Sequence, residues 1–118
     1  MTPENSLARL REICLGYPEA QEGGGVGNPS FKVRGKIFAM RHSLHGAARW
    51  SVWFKAPPGM QQLVVGDDPA RFFVPPYVGH KGWVGMRLDG RVGWREVAFL
   101  VERSWRRTAP KRLLQGKA

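Results

Sequence analysis

The chain has 118 residues, and its 19 lysines and arginines exceed its 9 aspartates and glutamates, which gives a formal net charge of +10. With 42% hydrophobic residues and five tryptophans, the composition excludes a disordered chain, and one hydrophobic core can serve a protein of this size. The single cysteine, Cys14, excludes an intramolecular disulfide and a cysteine-based zinc site. We therefore expect a single domain that spans residues 1–118.

The placement of charged and apolar residues predicts where the protein is found. Charged residues recur every few positions over residues 1–16, and this spacing lacks the apolar segment of a signal peptide. No apolar run approaches the roughly 18 residues that a membrane-spanning helix needs. We expect a soluble cytoplasmic protein that makes no contact with a membrane.

The first predicted element is a helix that begins at Thr2 and Pro3, which suit an N-cap and a first helical position. Gly16 and Pro18 end it. Its apolar face has the three- and four-residue spacing of a helix and comprises Leu7, Leu10, Cys14 and Tyr17. On this face the Cys14 thiol is expected to be buried and inert. Residues 19–30 are rich in glycine and are predicted to form a mobile loop.

Alternating apolar and polar residues in the middle of the chain predict β-strands. Two strands, residues 31–34 and 36–41, are expected to meet at a tight turn on Gly35. A polar connection at 42–49 leads to a strand over 50–55, which ends at Pro57-Pro58-Gly59. A short helix is predicted at Met60–Val65, ended by Gly66, and Asp68-Pro69 opens the next turn.

Residues 71–89, RFFVPPYVGHKGWVGMRLD, combine two prolines and three glycines with four aromatic residues. Residues 71–74 are predicted to complete a helical turn that places Phe72 or Phe73 in the core. Residues 75–82 are predicted to form a rigid turn, because proline restricts the backbone and glycine permits tight turns. This turn is expected to present Tyr77, His80 and Lys81. Residues 83–89 then alternate as a strand.

The last predicted element is a helix over residues 94–108, which Pro110 ends before a basic tail at 111–118. Its predicted buried stripe comprises Trp94, Val97, Ala98, Val101 and Trp105, and its solvent-facing side carries Arg95, Glu102, Arg103, Arg106 and Arg107. Strands joined by short turns imply an antiparallel sheet. We expect an α+β fold in which the amino- and carboxy-terminal helices pack on one face of that sheet.

The sequence shows no arrangement that is typical of catalysis. His42-x-x-His45 has a spacing that could bind a metal, but no carboxylate or thiol lies nearby in the sequence. The serines lack a nucleophile elbow, and the few carboxylates form no acid–base pair. The glycine-rich segment lacks the lysine of a P-loop. We expect neither an enzyme nor a bound metal or other cofactor.

Positive charge gives a stronger indication of function. It is concentrated after residue 29, because residues 1–29 carry a net −2, residues 30–79 a net +5 and residues 80–118 a net +7. Such a chain attracts polyanions, of which nucleic acid is the most common. Lys32, Arg34 and Lys36 are predicted to share one side of a hairpin, and Lys55 follows Trp53. An arginine-rich chain that is merely soluble, with a sheet wet on one face, shows the same alternation, so both interpretations remain open.

Several phrases resemble the MmcQ/YjbR family, and together they cover nearly the whole chain in the same order. They are NPSFKVRGKIFA at 28–39, VWFKA at 52–56, the 71–89 segment, the helix from Trp94 and APKRL at 109–113. The resemblance implies a CyaY-like (frataxin-like) two-layer fold, which is also similar to a double-wing DNA-binding domain. It therefore implies a protein that binds nucleic acid, with DNA as the expected partner.

The matching family positions define a predicted nucleic-acid-binding patch of Lys36, Lys55, His80, Lys81, Trp83 and Lys111. The resemblance implies that the lysines hold phosphates and that His80 donates a hydrogen bond. Trp83 either stacks on a base or packs as a lid over the sheet edge. A small-ligand or partner-protein module is the alternative, with residues 75–83 as a pocket edge and a concave site beside Tyr77, His80 and Trp83.

Overall fold

The computed structural model describes residues 3–25, 28–43, 50–88 and 92–115. Within these ranges the helices are α1 (Pro3–Cys14), α2 (Met60–Asp67), α3 (Trp94–Thr108) and α4 (Lys111–Gln115), with a 3-10 turn at Gly79–Lys81. The strands are β1 (Ala20–Gly25), β2 (Asn28–Val33), β3 (Lys36–Ser43), β4 (Trp50–Phe54), β5 (Phe72–Phe73) and β6 (Val84–Arg87). The predicted N-cap Thr2, the turn at 89–90 and most of the 42–49 connection lie outside the described residues.

The strands form one antiparallel sheet in the order β1-β2-β3-β4-β6-β5. One side of the sheet, named here the core face, packs against α3, which crosses β3 and β4 and also contacts α1. Its fully buried side chains include Phe31, Val52, Val84, Val97 and Trp105. The predicted α+β fold, with terminal helices on one face of an antiparallel sheet, is confirmed. No helix among the described residues is long and apolar enough to cross a membrane.

The β2–β3 turn forms where the sequence predicted it. Arg34 and Gly35 both have positive φ angles, 52° and 80°, which match the right-handed twist of a two-residue hairpin. The pairing then shifts, because Lys32 lies opposite Ile37 whereas Phe31 lies opposite Ala39. β3 therefore carries one extra residue at this point, as in a β-bulge.

The prediction of a mobile loop over residues 19–30 is wrong, because β1 and the start of β2 pair across this segment. Gly24 has a φ of 95°, and a Cβ there would lie 2.7 Å from the Asn28 carbonyl oxygen, so glycine permits the close approach. An ion pair also joins β1 to α1, because Arg11 Nε lies 2.8 Å from Glu22 Oε1. Backbone pairing and these side-chain contacts outweigh the low strand propensity of glycine.

Three further boundaries differ from the predictions. Gly66 does not end α2, which continues to Asp67. Residues 72–73 form the edge strand β5 instead of a helical turn, although Phe72 is buried as expected. Part of the predicted tail forms α4, because its leucines, Leu113 and Leu114, pack against the core. For β5 and α4, contacts distant in sequence decide the local conformation.

Candidate nucleic-acid interface

The side of the sheet opposite the helices, named here the outer face, is built from alternate residues of the central strands. The register places Met40 opposite Trp53, Trp53 opposite Gly85 and Gly85 opposite Phe73, so these side chains share this face. Trp53 is buried, and its indole Nε1 donates to Ser51 Oγ over 2.9 Å. The centre of the outer face is therefore packed and rigid.

Residues 75–83, named here the lip, are held beside the outer face by one glutamine of α2. The buried side chain of Gln61 donates from Nε2 to the carbonyl oxygens of Gly79, over 2.8 Å, and Trp83, over 2.7 Å. Within the lip, the Lys81 amide donates a hydrogen bond to the Val78 carbonyl over 3.0 Å and closes the turn that they flank. Gln61 thus fixes the segment that presents Lys81. No pattern in the sequence predicted a role for Gln61.

An open pocket of about 450 Å³, named here the lysine pocket, lies between the lip and the β2–β3 turn. Three cationic side chains line it: Lys36 at the start of β3, Lys55 after β4 and Lys81 in the 3-10 turn. Its apolar lining consists of Ile37, Met40, Val78 and Trp83. The fold therefore gathers four of the six predicted site residues, from separate elements, around one cavity.

The electrostatic environment of Lys55 agrees with this arrangement of cations. Burial lowers the pKa of the Lys55 ammonium, and the positive charges of Lys36, Arg107 and Lys81 lower it further. Its Nζ lies 6.0 Å from the centroid of the Trp83 ring, at the outer limit of a cation–π contact. No aspartate or glutamate is among the described residues that line the pocket. An anion that entered it would relieve the repulsion between these cations.

A second cavity, of about 220 Å³, adjoins this region and is lined by Pro57 and the arginines Arg103, Arg106 and Arg107 of α3. The helix is tied to the end of β4, because Ser104 Oγ accepts from the Lys55 amide over 2.9 Å. One carboxylate partly offsets this charge, since Glu102 Oε1 lies 4.0 Å from Arg106 Nε. We call the three arginines together with the lysine pocket the basic surface.

These arginines were predicted to face solvent but were not included in the predicted patch. Arg106 and Arg107 follow Arg103 by three and four residues, a helical spacing that indicates one exposed cationic stripe. The sequence could not show that this stripe lies beside Lys55, because the contact depends on how α3 crosses the sheet.

Three of the six predicted site residues either are absent from the described lining of the lysine pocket or have little exposed surface. His80 and Lys111 are exposed, and neither is among the described residues that line the lysine pocket. Trp83 does line it but is only 6% exposed, so its ring lacks the open face that stacking on a base requires, and its burial supports the packing role. Tyr77 instead projects from the lip, 81% exposed, with a φ of 69°.

Two other groups named from the sequence have structural partners. Arg34 does not extend the lysine pocket, because its guanidinium binds both carboxylate oxygens of Glu19, over 2.5 and 3.0 Å. The ring of His42 stacks on Trp53 with centroids 4.4 Å apart, and His45 lies outside the described residues. Within the described part of the chain, no three His, Cys, Asp or Glu residues are grouped as metal ligands would be.

Comparison with known proteins places this fold in a family. The YjbR family model matches residues 15–107, which is most of the chain. The chain belongs to the YjbR family. The resemblance found in its sequence phrases is thereby confirmed, and no curated protein matches the sequence of this YjbR-family chain.

Solved structures with a similar fold include two proteins of low sequence identity to this YjbR-family chain. The crystal structure of the Deinococcus radiodurans protein DR2400, which contains a DUF419 domain, has a TM-score of 0.72 at 20% identity and covers 84% of this chain and 75% of that chain. A Pseudomonas syringae protein solved by structural genomics has a TM-score of 0.63 at 14% identity and covers 92% of this chain and 99% of that chain. At these identities the similarity shows the fold alone.

Proposed function

We propose that this YjbR-family protein is a non-enzymatic nucleic-acid-binding module, with DNA as its expected ligand. The observation that supports this function is the convergence of Lys36, Lys55 and Lys81 on one pocket, with no carboxylate among the described lining residues. Phosphates are the groups that lysine and arginine contact most often in nucleic acids. The basic surface therefore has the chemistry to hold a phosphate backbone.

The three arginines of α3 extend this binding region beyond the pocket. Arg107 lies near enough to Lys55 to lower its pKa, so the arginine stripe and the lysine pocket form neighbouring parts of one positive field. A nucleic-acid strand that crosses both parts would meet up to six cations. Because Trp83 is buried, Tyr77 is the aromatic residue of the lip that a base could reach.

A salt titration tests the proposal. Affinity for a short duplex and for a single strand is measured by fluorescence anisotropy from about 50 to 200 mM salt, where phosphate contacts make the logarithm of the affinity fall linearly with the logarithm of the salt concentration. Lys81→Ala should weaken binding to all sequences and reduce the salt slope by roughly 0.7 to 0.9, the value for one lost phosphate contact. Lys36→Ala should behave in the same way.

Lys32→Ala is the matched control, because it removes an equal charge from β2, next to the hairpin but outside the described lining of the pocket. Absence of binding at about 50 mM salt, where non-specific phosphate contacts are strong, would refute the function itself. Equal salt slopes for Lys81→Ala, Lys32→Ala and the unmodified protein would show that the site has been misplaced.

A small-ligand module is the second candidate, and the concavity of the lysine pocket favours it. Its volume of about 450 Å³ falls within the roughly 300–1,000 Å³ of small-molecule sites. The lysine pocket lies beside the lip at Trp83, but Tyr77 and His80, the other two residues of the predicted concave site, are not among its described lining residues. Thermal stabilisation by small anions, without any binding of nucleic acid, would favour this second function.

A further inference from the structure

We propose that the lysine pocket takes a terminal phosphomonoester, at the end of a nucleic-acid strand or on a free nucleotide, in preference to the phosphodiesters within a strand. This inference deepens the proposed function and rests on it, because it names the part of the ligand that the pocket holds. The arrangement of the cations, the apolar lining and the position of the arginines each support it.

The three lysines of the pocket share one cavity. Lys36, Lys55 and Lys81 come from a hairpin turn, a strand end and the lip, and all three line the same cavity. A groove that tracks a phosphodiester backbone needs cations spaced along it, because each internal phosphate carries one negative charge. A terminal phosphomonoester concentrates about −1.5 to −2 charges on one group near neutral pH, so it matches three lysines around one cavity better.

The remainder of the lining fits one nucleotide. Ile37, Met40 and Val78 are half-buried and provide an apolar wall beside the lysines, against which a terminal sugar or base could pack. Gln61 holds the lip in place through its bonds to Gly79 and Trp83, so this wall is preformed. Sites of this kind combine an apolar lining with a few placed polar groups.

The charge state of Lys55 fits the same ligand. Burial and three neighbouring cations lower its pKa. A dianion among the three lysines would oppose these effects and raise that pKa. The phosphomonoester and the Lys55 ammonium would then favour each other.

The arginines beside the pocket provide a path for the rest of a strand. Arg107 acts on Lys55 across the end of β4, and Arg103 and Arg106 continue the positive stripe along α3. A strand whose end lies in the lysine pocket can therefore place its next phosphodiesters on the arginines. The two halves of the basic surface have different ligands in this arrangement, and this difference makes the inference testable.

The test compares three single-stranded DNA 10-mers of one sequence, with a 5′-phosphate, a 3′-phosphate or hydroxyls at both ends, by anisotropy of an internal label. We expect at least one phosphorylated strand to bind roughly tenfold tighter than the hydroxyl-ended strand, because an added charge faces three cations. Lys36→Ala and Lys81→Ala should abolish this preference. Arg103→Ala should weaken the binding of all three strands equally and preserve the preference for a phosphorylated end. Lys32→Ala should change neither the affinity nor this preference.

A second arm distinguishes the strand end from a free nucleotide. Thymidine 5′-monophosphate, thymidine and inorganic phosphate are each titrated while the lysine side-chain NMR signals are observed. Equal binding of all three 10-mers would overturn the inference and leave the proposed function standing. If no 10-mer binds but the monophosphate shifts the Lys36, Lys55 and Lys81 signals and thymidine does not, the proposed function fails and the pocket is assigned to free nucleotides. If neither arm shows binding, both proposals are wrong.

Discussion

Replacing Gln61 with methionine tests how the lip is held. Methionine is similar to glutamine in length but cannot donate a hydrogen bond, so the substitution removes two bonds with little change in packing volume. The side chain of Gln61 is buried and donates over 2.8 and 2.7 Å to the carbonyl oxygens of Gly79 and Trp83, two residues that are themselves buried. Gln62, its exposed neighbour on α2, provides the matched control, Gln62→Met.

The expected loss of stability differs between the two carbonyl groups. The buried Trp83 carbonyl loses the hydrogen bond from Gln61, which costs about 1–3 kcal/mol, whereas the Gly79 carbonyl keeps the hydrogen bond from the Gly82 amide and loses about 0.5–1.5 kcal/mol. Together these losses should lower the free energy of unfolding by about 2–4 kcal/mol. This is a large share of the roughly 5–15 kcal/mol that stabilises a typical domain. Gln62→Met, on the solvent-exposed side of the same helix, should change the free energy by less than about 0.5 kcal/mol.

Urea unfolding followed by tryptophan fluorescence measures this difference. With a slope of about 1–3 kcal/mol per molar urea, the midpoint for Gln61→Met should fall by roughly 1–2 M while the slope stays unchanged. If Gln61→Met and Gln62→Met unfold at the same urea concentration, Gln61 does not hold the lip and the argument for a preformed pocket fails. Folded Gln61→Met should also bind DNA more weakly, although no charge has changed, because the support of Lys81 has been lost.

Two further predictions concern the outer face and the lysine pocket. A Cβ at Gly85 would lie 2.4 Å from the Phe73 ring, so Gly85→Ala should destabilise the protein by about 1–3 kcal/mol in the same urea assay. Gly66→Ala is the control, because a Cβ there meets nothing within 4 Å, and it should be neutral or stabilising by up to about 1 kcal/mol. Equal effects of the two substitutions would contradict the close packing of Phe73 on Gly85. The pKa of Lys55 should rise in Lys36→Gln, because Lys36 is the neighbouring charge that lowers this pKa most. A pH titration of ¹³C-labelled lysine side chains measures the change. An unchanged titration midpoint for Lys55 would show that Lys36 does not lie beside it.

Much of the fold follows from local patterns. The stripe at Val97, Val101 and Trp105 has helical spacing, and these residues are fully buried in α3. The tight turn at Gly35 lies where the alternation of the flanking strands predicts it. Such features are predictable because each depends on residues a few positions apart. β1 and β5 were missed because a glycine-rich segment and a two-residue strand become strands only by pairing with a neighbour.

The candidate site was predicted in its residue types and in four of its members, but not in its geometry. Lys36, Lys55, Lys81 and Trp83 do line one pocket, whereas the sequence did not show that His80 and Lys111 lie outside its described lining. The sequence left two roles open for Trp83, and its burial supports packing. Gln61 was missed because a buried glutamine on a short helix carries no sequence signal of its own. Its importance depends on two carbonyl groups 18 and 22 residues away.

The sequence by itself determined the family, the α+β class and the excess of positive charge, because composition and local spacing are properties of the chain before it folds. Only the tertiary structure decided where that charge acts. In the folded protein Arg34 pairs with Glu19, the arginines of α3 lie beside Lys55, and the Trp83 ring is buried. The physical reason is that strand register and helix crossing bring together residues far apart in sequence, and no local period encodes those distances.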